Sequence, residues 1–105
     1  MAKKTYKIAL LGGDGVGPEV VKQAKNVLTA LDERESLGLE LEDLECGASL
    51  YAKTGKEWAE GAFEYCKDEA DAMLLGAVGM PGVSLPNGDI AGAGVIFGLR
   101  FGLDL

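Results

Sequence analysis

The chain has 105 residues, 48% of them hydrophobic and 26% charged, a composition that makes one folded domain at most and excludes a disordered tail. Ten basic residues against seventeen acidic ones leave a net charge of −7, which opposes broad contact with a nucleic-acid backbone. Histidine is absent, so this chain builds no His-based acid–base pair, triad or metal site.

The opening MAKKTYK is basic, but no apolar core with a small-residue cleavage site follows it, so no secretory signal is expected. Residues 6–11 (YKIALL) are an apolar run ending in glycines, the pattern of a buried strand. GGDGVG turns the chain, and Pro18 suits the first position of a helix. Val20, Val21, Ala24, Val27, Leu28 and Leu31 then recur at helical spacing to about Asp32. After a polar ERES connection, LGLELEDLEC alternates apolar and acidic residues, which predicts a half-exposed strand near a sheet edge. Residues 47–54 read as a short helix ending at Gly55. A second helix is expected with Trp58, Ala59, Ala62, Phe63, Cys66 and Ala70 on one face.

AMLLGAV (72–78) is another buried strand, and 80–90 is a loop. The order of strands and helices predicts a layered α/β sheet with parallel strand pairs. Residues 91–103 are ambiguous. Half of the sixteen glycines lie from Gly76 onward, and Gly94, Gly98 and Gly102 fall four apart. Each glycine costs a helix roughly 1 kcal/mol relative to alanine, so a helix here needs close backbone packing or a ligand. No apolar stretch reaches the roughly 18 residues of a membrane span. Cys46 and Cys66 form neither a metal motif nor a disulfide framework, and a reducing cytoplasm is the expected compartment.

Three stretches can carry chemistry. GGDGVGP places a glycine turn at a positive helix end, which suits phosphate or carboxylate. Pro18 stands where a dinucleotide fingerprint needs its last glycine, and no phosphate-loop lysine follows. The plainer reading is a tight strand–helix turn with Asp14 bonding local backbone donors. GAVGMPG lies past a strand's carboxyl end, where open α/β sheets bind ligands, although ordinary turn glycines would look the same. Arg100 is the only cation after Lys67 and sits among small and apolar residues. It either pairs with a local acid or awaits an anionic ligand, whose carboxylate its planar fork would hold with two hydrogen bonds. Glu40, Glu42, Asp43 and Glu45 are scattered over both strand faces by the alternation, which argues against a metal cluster.

Taken together these stretches resemble the β-decarboxylating dehydrogenases, which include 3-isopropylmalate, isocitrate and tartrate/malate dehydrogenases. ALLGGDGVGPEVV resembles their opening strand–turn–helix. DAMLLGAVGMPGV resembles a second signature, commonly G-[AS]-V-G-G-P, and LRFGLDL resembles the start of an L-R-x-x-L-D-L arginine motif. The three occur in the family's order across nearly the whole chain.

The resemblance implies an incomplete N-terminal part of the isopropylmalate dehydrogenase-like fold, with residues 1–105 belonging to the first of two domains. It implies oxidation and decarboxylation of a 2-hydroxy dicarboxylic acid with NAD or NADP and Mg2+ or Mn2+, in the cytoplasm, by an enzyme that is a homodimer when complete. Arg100 matches a substrate-carboxylate arginine, and Ile96 and Phe97 match positions touching the substrate's variable group. Val16, Ala77, Val78, Gly79, Met80 and Ala93 match the cofactor side of the cleft, while Asp14 is structural. Met80 and Ala93 stand where the isopropylmalate branch, which serves leucine biosynthesis, usually has glycine and glutamate. Tartrate/malate-like substrates therefore stay open beside isopropylmalate-like ones. The proton-transfer pair, the metal-binding aspartates and the adenosine loop match positions beyond Leu105. The resemblance thus implies no catalytic and no metal-ligating residue in this chain, and no turnover by it alone. The competing expectation is a small acidic α/β binding or interaction module without catalysis.

Overall fold

A computed structural model describes residues 5–105; the first four residues of the basic opening segment lie outside them. Strand β1 (Tyr6–Gly13) runs through the apolar segment and is the centre of a three-stranded parallel sheet. β2 (Leu39–Leu44) pairs on one side of it and β3 (Ala72–Ala77) on the other, giving the order β2-β1-β3. The layered α/β fold with parallel pairs is as expected.

α1 (Gly17–Glu35) crosses from β1 to β2 over one face of the sheet. It runs past Asp32 to take in most of the connection that reads as polar, and stops where Ser36 turns left-handed. The Asp32 carboxylate then accepts the Gly38 and Leu39 amides and aims the chain into β2. The six-residue apolar stripe of α1 is only partly used. Val21 is buried and Ala24 and Leu28 are half-buried, but Val20, Val27 and Leu31 are exposed. Three strands cover a narrow strip of a helix this long.

The other face of the sheet carries the main core. Ala9 and Leu11 of β1 pack with Cys46, Cys66, Val95 and Leu99, flanked by Leu44, Met73 and Leu75. The Cα register places Leu11 between Leu44 and Leu75. This layer is built from α3 (Ala62–Glu64) with a π-helical turn Tyr65–Glu69 and from α4 (Ala93–Phe97) with a second π-helical turn Gly98–Gly102, while α2 (Ala48–Thr54) lines a hollow with α1 through Ser49, Leu50 and Lys53. α2 ends at a left-handed Gly55, as its sequence predicts.

One predicted element is corrected. Trp58 and Ala59 are not helical: Trp58 forms an antiparallel bridge with Cys46. The Gly47 amide donates to the Glu57 carbonyl and the Ala59 amide to the Glu45 carbonyl, which holds 57–59 extended. A left-handed Gly61 resets the chain before helix starts at Ala62, and Ala70 is already extended. Residues 93–102, ambiguous in sequence, are helical. Their glycine face lies on a bed of Glu57, Trp58 and Phe63, and close packing accounts for Gly94 against the Glu57 carboxylate and Gly102 against the Phe63 ring, while Gly98 keeps ordinary contact distance. Among the described residues no helix is long and apolar enough to cross a membrane.

Candidate functional site

The carboxyl ends of β1 and β3 lie side by side, and α1 leaves β1 toward β2, so the crevice of this open sheet falls between β1 and β3. Asp14 fills it. Its amide donates to the Ala77 carbonyl at 2.6 Å, and its carbonyl accepts the Gly17 amide, closing the turn into α1. Its buried carboxylate accepts three backbone amides, each at 2.7 Å: Ala48 and Gly79 on Oδ2 and Ser49 on Oδ1. Burial pushes the Asp14 pKa up, but the amides of Ser49, Gly79 and Ala48 outweigh it and hold the group below its ordinary value.

The expectation of local donors is therefore corrected. The donors come from the first turn of α2 and from the loop after β3, elements far along the chain. Amides so placed are the ones that would cradle an outside anion at such a crevice. Here the chain's own carboxylate occupies them. Gly47 makes room for it: its φ of 106° and ψ of −164° suit glycine alone, and a Cβ there would stand 2.5 Å from Asp14 Oδ2.

A second carboxylate, which sequence reading passes over, holds the next loop. Glu57 Oε2 accepts the Gly92 amide at 2.6 Å and the Gly94 amide at 2.9 Å. These are the open first-turn donors of α4, whose own first residues supply no side-chain cap. The signal in the sequence was a helix start (AGAG) lacking Ser, Thr, Asp or Asn, which must find its acceptor elsewhere.

The predicted cofactor-side residues gather round this crevice. Val16, exposed, caps α1, and its turn is tied to Ala77 through Asp14. Val78, Gly79 and Met80 follow β3 and, with Pro81–Ser84 and Ile90, line an open hollow of about 390 Å3. The Met80 thioether accepts the Ser49 hydroxyl at 3.0 Å. Gly92 packs against Gly79, with its Cβ direction 3.0 Å from the Gly79 nitrogen, which brings Ala93 beside the same loop.

The predicted substrate residues stand along the helix that follows. Gly94, Gly98, Val95 and Leu99 face inward, which turns Phe97 and Arg100 to the exposed side and leaves Ile96 half-buried. The Phe97 ring stacks on Phe101 at 5.9 Å. No carboxylate among the described residues pairs with Arg100, which removes the local-acid alternative. No side-chain hydrogen bond among the described residues joins Arg100 to the cofactor-side group.

The larger hollow, about 690 Å3, lies elsewhere, between α1 and α2 over the β1–β2 side. Its lysines, Lys22, Lys25 and Lys53, are faced by Asp43 and Glu45, and it holds none of the predicted site residues. Asp43 pairs with Lys25 of α1 at 2.6 Å, while Glu40 and Glu42 share the opposite face with Lys7 and Ala9. No group of three or more Cys, Asp or Glu among the described residues converges to hold a metal ion. A divalent metal therefore does not fit these residues.

Cys46 and Cys66 are free and buried. Burial, with the nearby charges of Asp14 and Cys66, pushes the Cys46 thiol up to about 11, and burial raises Cys66 as well. Both thiols should resist iodoacetamide at pH 8 in the folded chain and label within minutes in denaturant. Rapid native labelling of Cys46 would contradict its place in the core.

Comparison with known proteins gives a consistent answer. The family model described as "Isocitrate/isopropylmalate dehydrogenase" matches residues 7–105. The chain is 40% identical over 101 residues to a 3-isopropylmalate dehydrogenase of Thermobifida fusca, covering 96% of this chain and 27% of that protein. It is 46% identical over 78 residues to the enzyme of that name from Aquifex aeolicus, covering 74% of this chain and 21% of the relative. Among solved structures it resembles the apo form of a β-decarboxylating dehydrogenase from Thermococcus kodakarensis, with a TM-score of 0.72 and 33% identity over 95% of this chain and 27% of that one. The chain thus spans about a fifth to a little over a quarter of the length of these relatives.

Proposed function

The chain belongs to the isocitrate/isopropylmalate dehydrogenase family, and on that premise we propose that it serves as the N-terminal part of the first domain of a two-domain oxidoreductase. The substrate is a 2-hydroxy dicarboxylate, 3-isopropylmalate-like as in leucine biosynthesis or tartrate/malate-like. The cofactor is NAD or NADP. The observation that carries this reading is Arg100: an exposed guanidinium without a carboxylate partner among the described residues, on a helix fastened through its other face.

The matched residues then have distinct tasks. Arg100 receives a substrate carboxylate in its fork and orients the hydroxyl-bearing carbon. Phe97 and Ile96 flank the substrate's variable group and select for its size. Val16, Gly79 and Met80, with Ala77, Val78 and Ala93 beside them, offer an apolar, glycine-lined surface that suits the flat nicotinamide half of the cofactor. Asp14 keeps the amides at the crevice occupied, so the cofactor's phosphates find their donors outside these residues. A nicotinamide cofactor held against these residues would supply the hydride acceptor. The ligands of the Mg2+ or Mn2+ ion and the proton-transfer groups also come from outside these residues. The complete enzyme is a homodimer, and residues 1–105 alone do not turn over.

The test begins with the intact mass of the native polypeptide. A mass several times that of 105 residues, with NAD(P)-dependent turnover of 3-isopropylmalate or D-malate, supports the reading. In that enzyme Arg100→Lys should weaken substrate binding and slow turnover, together lowering kcat/KM about a hundredfold, because a lysine cannot reproduce the two-bonded fork. Unchanged kinetics would remove Arg100 from the site. A native chain of 105 residues without turnover would favour the binding module instead.

A further inference from the structure

Glu57 is not one of the residues matched to the site, yet the helix that carries Arg100 starts on it. Its carboxylate accepts the Gly92 and Gly94 amides at 2.6 and 2.9 Å. Its own backbone is fixed from behind: the Gly47 amide donates to its carbonyl at 2.7 Å, and the next residue, Trp58, bridges to Cys46. Farther along, the helix meets aromatic side chains. Gly98's Cβ direction lies 3.5 Å from the Phe63 ring and 3.7 Å from Trp58 Nε1, and Trp58 and Phe63 meet edge to face at 5.4 Å.

Aromatic contact of that kind lets a helix slide and roll; two charge-assisted hydrogen bonds at one end do not. A methyl group on Gly94 would run into the Glu57 carboxylate, so the glycine is needed for the helix end to come this close. We propose that Glu57 is a positioning residue for Arg100. It fixes the axial and rotational setting of residues 93–102 and thereby the point at which the guanidinium meets a carboxylate ligand. The inference rests on the reading of Arg100 as the carboxylate receiver.

The experiment titrates 3-isopropylmalate and D-malate separately into the native polypeptide, with binding read by calorimetry and amide NMR shifts of Gly92 and Gly94 recorded alongside. Wild type should saturate. Glu57→Gln, which keeps one carbonyl oxygen able to accept both amides, should bind within about threefold of wild type. Glu57→Ala should weaken binding about tenfold, the loss of roughly one charge-assisted bond. Arg100→Lys should weaken binding as well, and the Glu57→Ala/Arg100→Lys double variant should bind no worse than Arg100→Lys alone, because Glu57 acts only through Arg100.

Additive losses, or wild-type affinity in Glu57→Ala despite shifted Gly92 and Gly94 resonances, would overturn the proposal and leave the reading of Arg100 standing. No saturable response to either acid in wild type would overturn that reading, and this inference with it.

Discussion

Asp14→Ala should destabilise the chain by about 3–5 kcal/mol, a large share of the total stability of a domain this size. The substitution strands the buried amide of Ala48 and the part-buried amides of Ser49 and Gly79, each of which now ends on a carboxylate oxygen at 2.7 Å. Asp14→Asn should cost less, about 2 kcal/mol. Its carbonyl oxygen can still take the two amides now on Oδ2, while its amide nitrogen faces the Ser49 N–H as donor against donor. Urea midpoints at constant m-value measure both. The charge adds a pH signature. The folded-state pKa of Asp14 lies below its ordinary value of 3.8, so its contribution is complete above that pH and is lost as pH falls through the folded value. Stability should therefore fall with pH below about 4 in wild type, and this component should be missing in Asp14→Asn. Equal acid sensitivity in the two proteins would show that Asp14 is not the group that titrates.

Gly47→Ala should cost about 3 kcal/mol or more, although it adds one methyl group to a buried site. Part of the effect is backbone strain, since a φ of 106° with a ψ of −164° belongs to a region that side chains avoid at about 1–3 kcal/mol. The rest is collision: the methyl would press on the Asp14 carboxylate, which cannot swing aside without releasing its three amides. The two sites must then be coupled. In an Asp14→Ala background the methyl has space, and Gly47→Ala should cost about 1–2 kcal/mol less than in wild type. Additive destabilisation in thermal or urea melts would mean that the two residues do not press on each other.

The layered sheet was legible because its signals are local. β1 and β3 are apolar runs bounded by glycines, and α1 has both a proline start and a helical repeat. The expected helix at Trp58 failed for a physical reason. Residues 58, 59, 62, 63 and 66 satisfy the helical spacing, but the pairing of Trp58 with Cys46 is a long-range contact that no local pattern encodes. The same limit hid the roles of the acids. Asp14 stood out beside its glycines, but a carboxylate accepts any N–H, and nothing nearby tells that its donors are Ala48, Ser49 and Gly79. Glu57, in KEWAEG, reads as one more surface charge. Arg100 was conspicuous because it stands alone, a contrast of composition that needs no knowledge of packing.

Because the central strand precedes both of its neighbours in the chain, the ribosome releases it before either of them. β1 emerges with Ile8, Leu10 and Leu11 bare and can pair with β2 only after α1 has been made. Its other edge waits until Leu74 and Leu75 are out, and the Asp14 carboxylate is not fully satisfied until Gly79 follows. A nascent chain stalled before β3 thus carries an apolar strand with one open edge and a charged group short of a partner, which is the form most exposed to chaperones and proteases during synthesis.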